Sequence, residues 1–195
     1  AINNRGAREA QGDYLVLLNN DTAVLHEEWL AEMLGIAGQS DVGAVGAKLH
    51  YPDGRVQHAG VVLGMGDAPA EHPFLGAAAD ETGYFGRLLL TQEYAAVTAA
   101  CLLVKKSIYL EAGGLDETRF QVSYNDVDFC QRLRKQGLRV VFTPHAKLLH
   151  EGSVSQKSTV EDAAQVAKQA RFAEEQNRFY DAWRHDVAFD PYFNR

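Results

Sequence analysis

The chain has 195 residues, 46% hydrophobic and 23% charged, enough for one well-buried domain with extensions. A net charge of −7 excludes a nucleic-acid binder that works through a broad basic surface, and no apolar run is long enough to span a bilayer. Cys101 and Cys130 sit in apolar segments without CxxC spacing, so they read as core thiols in a reducing compartment, not as disulfide or zinc ligands. The chain opens at Ala1 with no initiator Met and no signal-peptide pattern, and it enters a helix and an apolar strand almost at once. That is the pattern expected of a piece of a longer protein.

Residues 4–11 gather helix formers behind a capping Asn4, and Gly12 suits the stop. Residues 14–18 form an uninterrupted apolar run that breaks at Asn19, Asn20, Asp21 and Thr22. Such a run fits a strand buried on both faces of a parallel sheet, and the helix feeding it is half of a βαβ unit whose first strand lies upstream. Ligands of open α/β sheets bind beyond the carboxyl ends of strands, which aims Asp21 at a site. Its carboxylate can hold a hard divalent cation, and the Asn19 and Asn20 amides can bind sugar hydroxyls or phosphate-linked groups. The same four residues equally suit a plain turn before the next helix.

Residues 27–37 place Leu30, Met33, Leu34 and Ala37 on one helical face, and residues 41–49 read as a strand. Pro52-Asp53-Gly54 is a turn between residues 49–51 and 56–58, which makes a hairpin. Residues 64–92, rich in Gly, Ala and Pro, predict a long irregular excursion. His58 and His72 could each line a site, but as loop histidines without a partner they read as solvated. Residues 94–104 are apolar and β-prone, interrupted at Thr98, Ala99 and Ala100, and residues 106–112 form a short helix closed by Gly113 and Gly114.

Residues 124–136 have acids at the start, bases in the last turn and a Gly137 stop, with Val127, Cys130 and Leu133 as the buried face. Asp126 and Asp128 are two apart and cannot share a helix face, so if one faces a cleft the other caps or meets solvent. Asp126 is either a general base for a hydroxyl nucleophile or simply a favourable helix-start residue. Residues 139–143 form a strand ending at Pro144, and residues 147–150 a short one ending in His150. Asp21 and His150 together offer an oxygen and an imidazole to Mn²⁺ or Mg²⁺; a satisfied surface histidine is the plainer reading. A capping box at Ser158 and Glu161 starts a helix running to about Arg184, with Val160, Ala164, Ala167, Ala170, Phe179 and Trp183 as its apolar stripe. Residues 1–155 and a helical extension, 156–195, are the expected units.

Several stretches taken in order carry a resemblance: Asn-Asn-Arg-Gly-Ala at 3–7, Leu-Leu-Asn-Asn-Asp-Thr at 17–22, Val-Gly-Ala-Val-Gly-Ala-Lys-Leu at 42–49 and Tyr-Pro-Asp-Gly-Arg-Val-Gln-His-Ala-Gly at 51–60. Gly-Tyr-Phe-Gly-Arg at 83–87, Ala-Val-Thr-Ala-Ala-Cys-Leu at 96–102, Gly-Gly-Leu-Asp-Glu at 113–117, Tyr-Asn-Asp-Val-Asp-Phe-Cys at 124–130 and Leu-Leu-His-Glu-Gly-Ser at 148–153 complete it. Together they resemble family 2 nucleotide-sugar glycosyltransferases, in particular bacterial rhamnosyltransferase-like enzymes of polysaccharide biosynthesis. The resemblance implies an α/β, GT-A type (Rossmann-like) mixed sheet flanked by helices, lacking its first strands, with a C-terminal helix.

It also implies an inverting transfer from a dTDP- or UDP-sugar to a saccharide or lipid-linked acceptor, with Mn²⁺ or Mg²⁺ as cofactor. Asn19-Asn20-Asp21 stands where relatives carry Asp-x-Asp, which makes Asp21 and His150 metal-site residues and Asn19 and Asn20 donor-binding. Asn4 and Arg5 fall on the donor side, Asp126 becomes the base, and Asn125 and Thr98, Ala99 and Ala100 line the acceptor pocket. Asn replaces an acid at 19 and at 125, so Asn125 can orient an acceptor but not ionise. A segment without the nucleotide-gripping strands is expected to bind donor poorly and to be inactive alone, and its open sheet edge favours association between copies. The expected location is cytoplasmic, at the inner membrane face where acceptors are lipid-linked. The competing class is a non-catalytic glycan- or partner-binding domain of the same descent; a hydrolase or nucleotidyltransferase using the same metal-bound diphosphate is a further one.

Overall fold

A computed structural model describes residues 2–152 and 163–193, with side chains from residue 165 in the last segment. Ser153, Ser158, Val160, Glu161 and the Ala164 side chain lie outside the described residues. The elements run α1 (Ile2–Glu9), β1 (Tyr14–Leu18), β2 (Thr22–Val24), α2 (Trp29–Ala37), β3 (Val42–His50), β4 (Val56–His58), β5 (Val62–Leu63) and β6 (Ala70–Glu71). A 3-10 turn (Tyr84–Leu89), β7 (Gln92–Glu93), β8 (Cys101–Lys105), α3 (Lys106–Glu111), α4 (Asn125–Lys135), β9 (Arg139–His150) and α5 (Ala163–Ala188) follow.

The main sheet has the order β1-β8-β3-β9-β2, with β4 paired to β3 and β7 to β9. Only β3 and β9 run parallel, and the other pairs are antiparallel. The mixed sheet agrees with the α/β expectation, and the predicted hairpin is present as Leu49 opposite His58 and His50 opposite Val56. The strand alternation of period two sorts the core into two faces. Cys101, Leu103 and Val141 pack with Met33 and Ala37 of α2, while Leu102, Val104, Val140 and Phe142 pack with Phe129, Cys130 and Leu133 of α4 and Phe179, Trp183 and Val187 of α5. The sheet is thus a middle layer between helices.

Three sequence expectations change. The strand β1 is not buried on both faces of a parallel sheet: it pairs antiparallel with β8 and alternates, Leu15 and Leu17 in and Leu18 out. An apolar run cannot report its partner's direction, and at a sheet edge one row of side chains suffices for the core. Pro144 does not end β9. The register passes from Ala47–Thr143 to Lys48–Lys147, so a bulge holds residues 144–146, where a proline without an N–H costs no ladder bond.

Residues 94–100 are not strand but a buried, irregular crossing. Tyr94 N–H bonds Val140 O (3.0 Å) and Val61 N–H bonds Ala96 O (2.8 Å). Val97 lies over the backbone of Gly46, where any β-carbon would collide with its methyls. Gly46→Ala should therefore lower the unfolding free energy by about 1–3 kcal/mol, the usual cost of overpacking, read from the urea midpoint at unchanged slope.

Candidate active site

The end of β1, the start of β2 and the end of β9 meet because Thr22 pairs with His150 across the sheet. The turn between β1 and β2 is built locally: the Thr22 hydroxyl donates to Asn19 O (2.7 Å), and Asn19 N–H bonds Ala100 O (3.0 Å). Glu151 N–H bonds Asp21 O (3.0 Å). Asp21 Oδ1 then stands 3.1 Å from His150 Nε2, and Asn19 Nδ2 reaches the same nitrogen at 3.1 Å.

The proton on His150 follows from its neighbour. Gln57 Nε2 donates to His150 O (3.2 Å), which turns Gln57 Oε1 to Nδ1 at 2.6 Å. Nδ1 therefore carries the hydrogen, and Nε2 accepts the Asn19 Nδ2–H with the Asp21 carboxylate beside it. A carboxylate oxygen against a nitrogen lone pair is repulsive until a proton or a cation comes between them. Cis ligands of an octahedral Mg²⁺-like ion, each about 2.1 Å from it, lie about 3 Å apart, so this pair fits two positions of such a shell. Among the described residues no group of three or more His, Cys, Asp or Glu gathers to hold a metal, so further ligands would be substrate or water oxygens.

Asp126 sits in the first turn of α4. Its Oδ2 accepts Ala99 N–H (2.9 Å) and its Oδ1 accepts Val127 N–H (2.9 Å). It lines a cavity of about 410 Å³ with Glu71, His72, Tyr124, Phe172 and Gln176, within the range of small-molecule sites. Ahead of it Tyr124 takes φ 62°, a strained value for an aromatic residue, and stacks on Phe179 with ring centroids 5.1 Å apart. The buried Glu175 of α5 holds that loop by accepting the N–H groups of Gln121 (2.9 Å) and Ser123 (2.6 Å). Adjacent residues thus tie both carboxylates into one place: Ala99 bonds Asp126, and Ala100 bonds the Asn19 turn.

The other anticipated positions divide. Thr98, Ala99 and Ala100 act through backbone, beside the cavity and not on its lining. Asn125 donates to Val122 O (3.1 Å) within its own loop, and Asn20 and Arg5 are exposed. The Asn4 carboxamide is committed to structure: Nδ2 donates to Leu115 O (2.7 Å), while Oδ1 accepts Tyr109 O–H (2.6 Å) and Leu115 N–H (2.9 Å).

Two readings are corrected. Asp128 neither caps nor meets solvent: it is fully buried, with Arg132 Nε at 2.8 Å and Trp183 Nε1 at 2.9 Å. His58 is not solvated, and His72 is half-buried on the cavity wall. His58 is 1% exposed and its Nδ1 lies 2.9 Å from His72 Nδ1. The signal was present in the strand period, because His58 follows the buried Val56 by two. Gln57 and Glu175 carried no comparable signal.

The mixed sheet, its order and its flanking helices are those of a GT-A type glycosyltransferase fold. A mannosyltransferase from Pyrobaculum calidifontis, solved with GDP-Man and Mn²⁺, superposes with a TM-score of 0.55 at 16% identity, covering 93% of this chain and 42% of that one. The sequence pattern of the "Glycosyltransferase like family 2" matches residues 1–175, and the chain belongs to that family. An uncharacterized protein, y4gI, of Sinorhizobium fredii is 44% identical over all 195 residues, which make 21% of its length. The O-antigen biosynthesis protein RfbC of Myxococcus xanthus is 43% identical over 159 residues, 81% of this chain and 12% of that protein. The chain thus spans 21% and 12% of the lengths of these two curated relatives. Among the described residues no helix is long and apolar enough to cross a membrane.

Burial holds His58 well below the ordinary histidine value, and burial likewise lowers His50 and His72. A lowered folded value means that the unfolded chain binds protons first as pH falls past 6.5, so stability is full above that pH and lost below it. The unfolding free energy, read from the urea midpoint at unchanged slope, should fall between neutral pH and pH 5.5, by up to about 1.4 kcal/mol per pH unit for each neutral histidine. Asp128→Ala leaves Arg132 and the Trp183 N–H without their buried partner and should cost about 3–5 kcal/mol in the same measurement.

Proposed function

We propose that the chain carries the catalytic centre of an inverting, metal-dependent glycosyltransferase that acts in cell-surface polysaccharide synthesis. The observation that carries the reading is the pairing of two carboxylates through Ala99 and Ala100, one beside a histidine lone pair and one in a cavity. RfbC, named for O-antigen biosynthesis, supports the polysaccharide setting. The mannosyltransferase solved with GDP-Man and Mn²⁺ supports a nucleotide-sugar donor and a divalent ion.

In this reading the donor diphosphate lies at the Asn19-Asn20-Asp21 turn, with Asp21 and His150 holding Mn²⁺ or Mg²⁺. The bound ion supplies charge neutralisation for the departing nucleoside diphosphate. The acceptor, a saccharide or a lipid-linked saccharide, enters the Asp126 cavity. Asp126 takes the proton of the attacking hydroxyl as its oxygen bonds the anomeric carbon, and the bond to the diphosphate breaks with its electron pair. The attack from the opposite face inverts the centre. The backbone amides of Ala99 and Val127 fix the carboxylate in place before the acceptor arrives.

Calorimetric titration of Mn²⁺ with UDP, and separately with dTDP, should show metal-dependent binding that Asp21→Ala abolishes. Nucleotide binding indifferent both to the ion and to Asp21 would overturn the donor assignment. In the longer parent protein, Asp126→Asn should lower glycosyl transfer about 10²- to 10⁴-fold while nucleotide affinity stays the same.

A further inference from the structure

His72 lies on the wall of the Asp126 cavity, yet the reaction as described leaves it without a task. Its chemistry is set from behind. The Nε2 of His58 receives two backbone N–H groups, from Gly60 (3.3 Å) and Thr98 (3.4 Å), so that nitrogen is the acceptor and the ring proton sits on Nδ1. The His58 Nδ1–H then points at His72 Nδ1, 2.9 Å away, with the rings 77° apart. A neutral His72 that accepts at Nδ1 must carry its own hydrogen on Nε2.

Burial opposes charge on both rings, which keeps each of them neutral. The one unpartnered side-chain N or O sealed from solvent among the described residues is the Tyr94 hydroxyl. His72 Nε2, with no hydrogen bond of its own among those residues, therefore opens on the cavity that the ring lines.

We propose that His72 is an acceptor-positioning group, whose Nε2–H, fixed by His58, donates to an oxygen of the sugar seated against Asp126. The inference rests on the acceptor reading of that cavity. It gives the pocket one acceptor and one donor of opposite character. The carboxylate receives the reacting hydroxyl, and the imidazole holds a neighbouring oxygen, which selects among hydroxyls of one sugar ring. A neutral imidazole suits the task, because a cation there would pair with Asp126 and remove its basicity. Adjacent residues of β4 thus orient both histidines of the site, Gln57 fixing His150 and His58 fixing His72.

The test is nuclear magnetic resonance of the ¹⁵N-labelled protein near neutral pH, with methyl glycosides of glucose, galactose, rhamnose and N-acetylglucosamine as probes. Two-bond ring correlations should show the Nδ1–H form at His58 and the Nε2–H form at His72. A glycoside should then shift His72 Nε2 together with the amides of Ala99 and Val127, the reporters of the Asp126 carboxylate. His72→Phe should weaken that glycoside about tenfold, and His72→Gln, which keeps a donor, should recover part of the loss. An Nδ1–H or charged His72 in the native protein overturns the proposal. Amides at 99 and 127 that respond while His72 does not also overturn it, with the acceptor reading intact. Glycosides that move neither set remove the acceptor reading and this inference together.

Discussion

The backbone of residues 98–100 is the point on which the site depends. Thr98 gives its N–H to His58, Ala99 gives its own to Asp126, and Ala100 offers its carbonyl to Asn19. Three functional elements from distant parts of the chain are therefore registered against one short, partly buried segment. That segment packs through Val97 onto the bare backbone of Gly46, in the middle of β3, where a larger residue would displace it. Small side chains at 99 and 100 suit this role, since the work is done by amides and a carbonyl.

Buried charge organises the second wall. Asp128 and Glu175, both buried, each serve several donors: Asp128 takes Arg132 and Trp183, and Glu175 takes the amides after Phe120. Leaving such a carboxylate unpaired would be expensive, so α5 has one docking position on α4 and on the loop before it. The Phe179 ring at the centre of the contact is fully buried and contributes roughly 1.5–3 kcal/mol to that docking. Asp190 extends the attachment by accepting Leu63 N–H at 2.6 Å. Through Phe172, Gln176 and Tyr124, α5 thereby shapes the cavity that Asp126 faces.

The strand β4 links the two halves of the site. Its side chains alternate, and Gln57 and His58 each settle the ring proton of another histidine. One result is a lone pair beside Asp21, and the other is a donor in the cavity. In the proposed reading one imidazole would serve as a ligand and another as a hydrogen-bond donor.

Much of this was legible in the chain. The helices α2 and α4, the β3–β4 hairpin and the positions of Asp21, Asp126 and His150 at element ends follow from periodicity and turn chemistry, which act over a few residues. The resemblance of ordered short segments joined them into one family, and the mixed sheet agrees with it. The antiparallel pairing of β1, the burial of Asp128 and the pairing of His58 with His72 came only with the tertiary structure. Trp183 is 55 positions from Asp128, Glu175 is 54 from Gln121, and His150 is 131 from Asn19. A charged or imidazole side chain carries no local mark of whether it will meet water or a distant donor. Burial is decided by what packs over it, and that is a property of the assembled layers.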